Sequence, residues 1–543
     1  MASNAGHVIR KVDAIEIRDS RNNRTIKGRI TTFSDLKGVS GVPGGASKGS
    51  GEAAVVPVEI AIENIFKHIA PRLEGKVDVS QTPLSEIDQM LKDVDGTGKF
   101  ENLGGNTAIA ISGAYANLAA AAKGVPLWMY LHEQMGPEYP IGLPVPHFNV
   151  VNAGKHADSG LWVQETMVVP VGARTFREAL DMGTEIWKAL GKRLKAQGHS
   201  TGTGDEGGFV NPYKTIEETI AAVLEAIRDA SEEAVKAGRR AFEAGREIWL
   251  SFDPAASEYH KKDVHDKEPN ENDNTYHLGD KRFTSKEMVE FWKILIVDKK
   301  HPIIAVEDPM GETDREGWQM FTGELGNYVQ VTGDDYFVTN PARIREAIAD
   351  GIGNTGLIKP NQVGTMTDTL EAMRVLRAAG YKIKISHRSG ETGDTTIADL
   401  AISGDQMKSG SSHGERMDKY NRVGEIEIDT KLQYLGDKAF PPAVRDRVRK
   451  TVGERIATIV EGAATGRRFV STIEWEEWGD RAKASGDDKL ANAYYSKAME
   501  NLPNEIQARY RQAALYRKMG AEGAAQELEE EAGRIERGEM DKY

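Results

Sequence analysis

Five short apolar runs, each closed by a charged or metal-binding residue, constrain this chain more than any other feature. They are EIWLSFDPAASE, PIIAVEDPM, YVQVTGDD, GLIKPNQVGT and YKIKISHRSGET, and they carry Asp253, Glu307, Asp334, Lys359 and His387. The successive spacings are 54, 27, 25 and 28 residues. A parallel strand with its crossover helix takes about 30 residues, so the spacing predicts repeated β/α units. In a β/α barrel, polar residues at the C-terminal strand ends converge on one face, where catalysis sits. Three carboxylates, a lysine and a histidine meeting there read as a metal site with a base beside it.

Composition narrows the classes of function. The 543 residues suffice for two or three domains, and a net charge of −13 argues against sequence-independent binding to nucleic acid or anionic membranes. Cysteine is absent, which excludes disulfides, thiolate zinc sites, iron–sulfur clusters and a cysteine nucleophile. The opening MASNAGHVIRKVDAIEI has no apolar core of a signal peptide, and no run nears the ~18 apolar residues of a membrane span. A cytoplasmic protein is the expectation.

Three regions follow along the chain. Residues 1–140 open with the strand-like VDAIEI and TIKGRITTF, continue through the Gly-rich GVPGGASKGSGEA, and end in the small-residue helix NTAIAISGAYANLAAAAKG. Residues 141–436 carry the β/α rhythm, interrupted by the polar stretch from Lys261 to Asn274, which reads as an exposed loop. Residues 437–543 turn to Ala, Glu, Arg and Lys at helical spacing. There Trp475, Trp478, Gly479, Ala482, Ala491, Tyr495, Ala498 and Pro503 fall at the spacing of one 34-residue tetratricopeptide unit. Ala513, Tyr516, Ala525 and Ala532 repeat the pattern in a degenerate second unit, with Arg509 at the Trp position. A generic helical hairpin is the plainer reading. Two units are fewer than the ~3 that such repeats need for stability, so this segment is expected to pack on the barrel, another subunit or a protein partner.

The oxygen donors of Asp253, Glu307 and Asp334 suit Mg²⁺, a hard cation that keeps waters and takes substrate oxygens. Lys359, among metal ions, can act as a base through a lowered pKa. Asp205 and Glu206 sit in the Gly-rich loop TGTGDEGGFVNP, where a carboxyl group can be a general acid if a neighbouring carboxylate such as Glu165 raises its pKa. Arg388 and Ser389 can hold a phosphate, and GGASKGSGE can close over a ligand. Taken singly, each has a plainer reading as a solvated loop acid, a helix cap, a salt bridge, a turn or a linker.

Together the strings HADSGLWVQETM, GDEGGF, FDPAASE, VEDP, GDD, LIKPNQVGT, SHRSGETGDTTIADLA and ERMDKYN resemble the enolases, over about residues 10–436. The resemblance implies an α/β fold: an α+β N-terminal domain, then an eight-stranded β/α barrel with an irregular start. The all-α C-terminal extension has no counterpart in ordinary enolases. It implies reversible dehydration of 2-phosphoglycerate to phosphoenolpyruvate with two Mg²⁺ per site. Asp253, Glu307 and Asp334 would bind the first ion and Ser47 the second. Lys359 would be the base, and Glu206 the acid assisted by Glu165. Arg388 and Ser389 would hold phosphate and Lys408 the substrate carboxylate. His156 would enter on a closing loop, with Gln164 and His387 lining the site. A homo-oligomer, dimer or octamer, is also implied.

The chain departs from the family pattern in DSRNNRT, where Asn22 and Arg24 replace Gly and Pro, in GGASKG, in NAGKHA with Lys155 beside His156, and after Glu52, where the family's Arg-Asp and glycine-rich segment are missing. Another lyase of the same superfamily and a non-catalytic scaffold are the alternative readings.

Overall fold

The computed structural model describes residues 5–45, 49–154, 161–261, 270, 273–278 and 281–464, and then 479–480, 483, 488–501, 509–510, 512–514, 517 and 522–536. Ser47, His156, most of the Lys261–Asn274 stretch, and Trp475, Trp478, Ala482, Pro503 and Tyr516 lie outside the described residues.

The N-terminal part is an antiparallel meander, β1 (Ile9–Arg18), β2 (Arg24–Thr32) and β3 (Lys37–Gly41). Asp19 shapes the β1–β2 turn, its Oδ1 accepting the N–H groups of Arg21 (2.9 Å) and Asn23 (2.7 Å). Asn22 there has φ 63°, a left-handed conformation that asparagine tolerates better than most side chains. Arg24, where the family has proline, pairs on the surface with Glu16 at 2.6 Å and Glu59 at 2.5 Å. The helix Gly105–Lys123 lies across β2 and β3 and is buried along most of its length. Two glycines allow that approach. A Cβ on Gly38 would sit 2.0 Å from the Ala114 carbonyl oxygen, and one on Gly28 would sit 2.5 Å from that of Ala110.

The barrel strands are β4 (Val145–Asn152), β5 (Glu165–Val169), β7 (Trp249–Asp253), β10 (Ile303–Glu307), β11 (Gln330–Gly333), β12 (Thr355–Ile358), β13 (Lys382–Ser386) and β14 (Gln406–Lys408). A short β6 (Phe209–Val210) adds to β4, and β8 (Tyr276–Leu278) with β9 (Lys281–Phe283) forms a separate hairpin. Pairing of Lys408 with His147 closes β14 on β4, giving the expected eight-stranded barrel. The start is irregular because β5 runs antiparallel to both β4 and β7. The remaining barrel neighbours are parallel. Long crossover helices begin at caps written in the sequence: Thr215 with Glu218 and Thr284 with Glu287 each form a reciprocal capping box.

The chain divides into two compact units between Arg449 and Lys450, past the composition change at Gly436. Arg447 explains why the first unit runs on. Its guanidinium donates to the Ile303 carbonyl at 2.7 Å and lies 5.2 Å from the Trp249 ring. In the second unit, helices Asp488–Asn501 and Glu522–Glu536 are described. Ala491, Tyr495, Ala513, Ala525 and Ala532 are fully buried, and a Cβ on Gly479 would collide with the Tyr495 ring. Among the described residues, no helix is long and apolar enough to cross a membrane.

A candidate active site at the mouth of the barrel

Strand direction gathers the polar residues. Asp253, Glu307 and Lys408 are the last residues of β7, β10 and β14, while Asp334, Lys359 and His387 directly follow β11, β12 and β13. Glu165 reaches the same end differently. It opens β5, whose reversed direction pairs Glu165 with Asp253. Gln164, Glu165, Glu206, Asp253, Asp334, Lys359, His387, Arg388, Ser389 and Lys408 line one cavity, together with Gly45, Glu52, Asp308 and Asp335. The free space among them is about 30 Å³.

Lys408 is the hub. Its Nζ lies 2.8 Å from Glu165, 2.9 Å from Asp253 and 2.7 Å from Glu307. Burial alone would lower this ammonium, but the three carboxylates hold it well above the usual lysine value. Glu307 is also met by the fully buried Lys384, 3.3 Å away. Burial would raise its carboxyl, yet the two lysines hold it well below the usual range. Asp253, chiefly through burial, is pushed up to about 7. Glu165 is raised well above the ordinary value by burial and then by the charge of Glu206.

Lys359 pairs with Asp334, whose other oxygen accepts from Gln362 at 3.1 Å. With no cation beside it, Lys359 stands above the usual lysine value: burial would depress it, but the adjacent Asp334 carboxylate outweighs burial. Arg388 is likewise occupied, with Glu52 3.0 Å from its guanidinium and Asn361 at 3.1 Å.

The donor set fits a hard cation. Asp308, Asp334 and Asp335 bring carboxylate oxygens within 4.8 Å of one another, all of them the oxygen type that Mg²⁺ takes. Asp308 and Asp335 are held well above the usual carboxylate range, by burial first and then by neighbouring acids, so this wall gains from added positive charge. The acidic cluster can therefore hold a metal. Asp308 also has a positioning job: its two oxygens accept the backbone N–H groups of Asp334 and Asp335, each at 2.8 Å.

Several members escaped the sequence reading. Asp308 and Asp335 directly follow Glu307 and Asp334, and the doubled acids of VEDP and GDD were the signal available. Glu52 ends the loop read as one that can close over a ligand, Lys384 lies inside the run YKIKISHRSGET, and Arg416 lies inside ERMDKYN, but none of the three stands out there by residue type or spacing.

Residues 9–131 match the family model described as the enolase N-terminal domain, and residues 140–442 match the enolase C-terminal TIM barrel domain.

Proposed function

The chain belongs to the enolase family, and on that premise we propose that it is a lyase that reversibly dehydrates 2-phosphoglycerate to phosphoenolpyruvate. One observation carries the reading: Lys359, Glu165, Glu206, Arg388, Ser389 and Lys408 come from five separate stretches of the chain and line one cavity.

In this reading Lys359 takes the proton from C2, and Glu206, with Glu165 beside it, protonates the departing C3 hydroxyl. Lys408 faces the substrate carboxylate, where negative charge grows as the proton leaves. Arg388 and Ser389 hold the phosphate, with Gln164 lining the site. Asp253, Glu307 and Asp334 would hold Mg²⁺, which when bound supplies positive charge to the developing dianion. A second Mg²⁺ per site and the entry of His156 and Ser47 belong to the same proposal. Lys359 would move toward the range of a base once Asp334, the partner that keeps it protonated, held a cation. Arg388 exchanges Glu52 for the phosphate as substrate enters.

Ultraviolet absorbance of the purified protein with 2-phosphoglycerate and Mg²⁺ tests this. Growth of the enol-phosphate signal, abolished by excess EDTA, is expected. Folded, Mg²⁺-replete protein that gives no signal would sink the reading. A lyase acting on a carboxylate substrate without phosphate is favoured by the Glu52–Arg388 pair alone, since that arginine already holds a carboxylate. Phosphate-free hydroxy acids in the same assay distinguish the two.

We also infer that the C-terminal segment is a tetratricopeptide-like module that contacts a protein partner or a second copy of the chain. Burial of Ala491, Tyr495, Ala513, Ala525 and Ala532, all signature positions, supports this. Deleting 450–543 is expected to spare turnover and to change assembly, read by light scattering after gel filtration. A truncated protein that folds and assembles normally but has lost turnover would refute it.

A further inference from the structure

Arg416, on the helix Gly414–Asp429, is fully buried, and its guanidinium ties together segments far apart in the chain. Nη1 donates to Nδ1 of His387 at 2.7 Å and to the Arg388 carbonyl. Nη2 donates to the carbonyls of Ser389 at 2.6 Å and Asp205 at 3.0 Å, and to Ser20 Oγ at 3.3 Å. Nε lies 3.1 Å from the Glu415 carboxylate.

A guanidinium only donates, and it keeps its proton in proteins. The ring nitrogen that faces it must therefore be the one with the lone pair. A neutral imidazole carries a single N–H, so in His387 that proton sits on Nε2. Protonating both nitrogens would set an N–H against the guanidinium. In keeping with this, the ring is pushed down to about 4: burial lowers it most, the neighbouring Glu206 opposes that, and the Arg416 charge acts with burial.

Nε2 of His387 lies 3.3 Å from Oε2 of Glu206, a close approach short of a hydrogen bond. Asn149 Nδ2 donates to the same oxygen at 3.2 Å.

We propose that Arg416 is a positioning residue: it fixes His387 as the Nε2–H tautomer and so sets an N–H, rather than a lone pair, on the side of the ring that approaches Glu206. The catalytic consequence rests on the reading of Glu206 as the acid, whereas the tautomer does not.

The test compares His387→Gln with His387→Asn. Glutamine can present its amide N–H where Nε2 was, whereas asparagine's amide reaches only the Nδ1 position, where its oxygen accepts from the guanidinium and no N–H approaches Glu206. Expected is a kcat for H387Q within about tenfold of wild type and a fall of about 100-fold or more for H387N, the scale of one proton-transfer group, with KM little changed in both. Equal losses, or the reverse order, overturn the proposal. Arg416→Met should cut kcat in the wild-type background and far less in H387Q, which has no tautomer to fix. The same loss in both backgrounds would make Arg416 merely structural. Should R416M fail to fold, the Gln/Asn comparison stands, since it leaves Arg416 in place. The ¹⁵N spectrum of histidine-labelled wild-type protein reads the tautomer without turnover, so it separates the two claims. An Nδ1–H form overturns the inference, while an Nε2–H form in a protein that does not dehydrate 2-phosphoglycerate sinks the functional reading alone.

Discussion

The mouth of the barrel and the sheet–helix contact of the N-terminal domain are both buried, yet they are held by opposite means. At the mouth, Lys408 and Lys384 hold acids that burial and mutual repulsion would otherwise neutralise. Under the helix Gly105–Lys123, close approach comes from missing side chains, Gly28 and Gly38 on the strands and alanines on the helix. The first arrangement is poised to exchange partners, since each contact is a charge that a ligand or metal can take over. The second has nothing to exchange and contributes only packing. Changes at the mouth should therefore alter chemistry more than stability, and changes at the contact the reverse.

The largest expected effect is at the mouth. Lys359→Ala should lower turnover of 2-phosphoglycerate by about 10³-fold or more, with no fall in melting temperature and with Mg²⁺ binding largely kept. Near-normal steady-state rates would show that Lys359 is not the base.

At the contact, Gly38→Ala forces a methyl against the Ala114 carbonyl oxygen. A loss of about 3 kcal/mol is expected, read from the urea midpoint, with kcat per folded molecule unchanged. An unshifted midpoint would mean that the helix backs away at little cost.

Proton linkage sharpens the comparison further. An unfolded Asp releases its proton near pH ~4, whereas Asp253 in the fold keeps it to about 7. Between those values the folded state binds more protons, so the acid's contribution makes metal-free stability fall as pH rises. Mg²⁺ binds the ionised form, so its gain in melting temperature should grow from pH 5 to pH 8. A gain independent of pH would show that the raised acids are not the ones that take the ion.

The smallest effect is at a junction of the two kinds. Asp88 is fully buried, accepts the Thr367 N–H at 2.9 Å, and is pushed up to about 6 by burial. Its sign matches that of Asp253, with stability lost between pH ~4 and about 6. Asp88→Asn keeps the acceptor and should flatten that slope, giving a variant about 2 kcal/mol more stable than wild type at pH 8. An unchanged pH profile from thermal melts would remove Asp88 as its source.

Much of the site was legible because a β/α repeat writes its strand ends into the sequence at regular spacing. Asp253, Glu307, Asp334, Lys359 and His387 could be picked out before any strand was seen, since a polar residue closing an apolar run has one face to go to. Glu206 was marked by its Gly-rich loop and Lys408 only by what the resemblance implies, neither by rhythm, and the reason for Glu165's position was hidden: β5 runs backward, so its first residue, not its last, reaches the mouth. Glu52 and Arg388 meet across 336 residues, and no local pattern announces such a pair. Arg416 reads as an ordinary charge in a helix whose other residues are mixed.

The sequence alone determined the order of strands and helices, the helix caps, the strand-end acids and the absence of thiol chemistry, because each depends on neighbours in the chain. Tertiary structure decided the direction of β5, the hub at Lys408, the raised Lys359 and the single tautomer open to His387. Those depend on which charges burial forces together, and distance through space is not written in spacing along the chain.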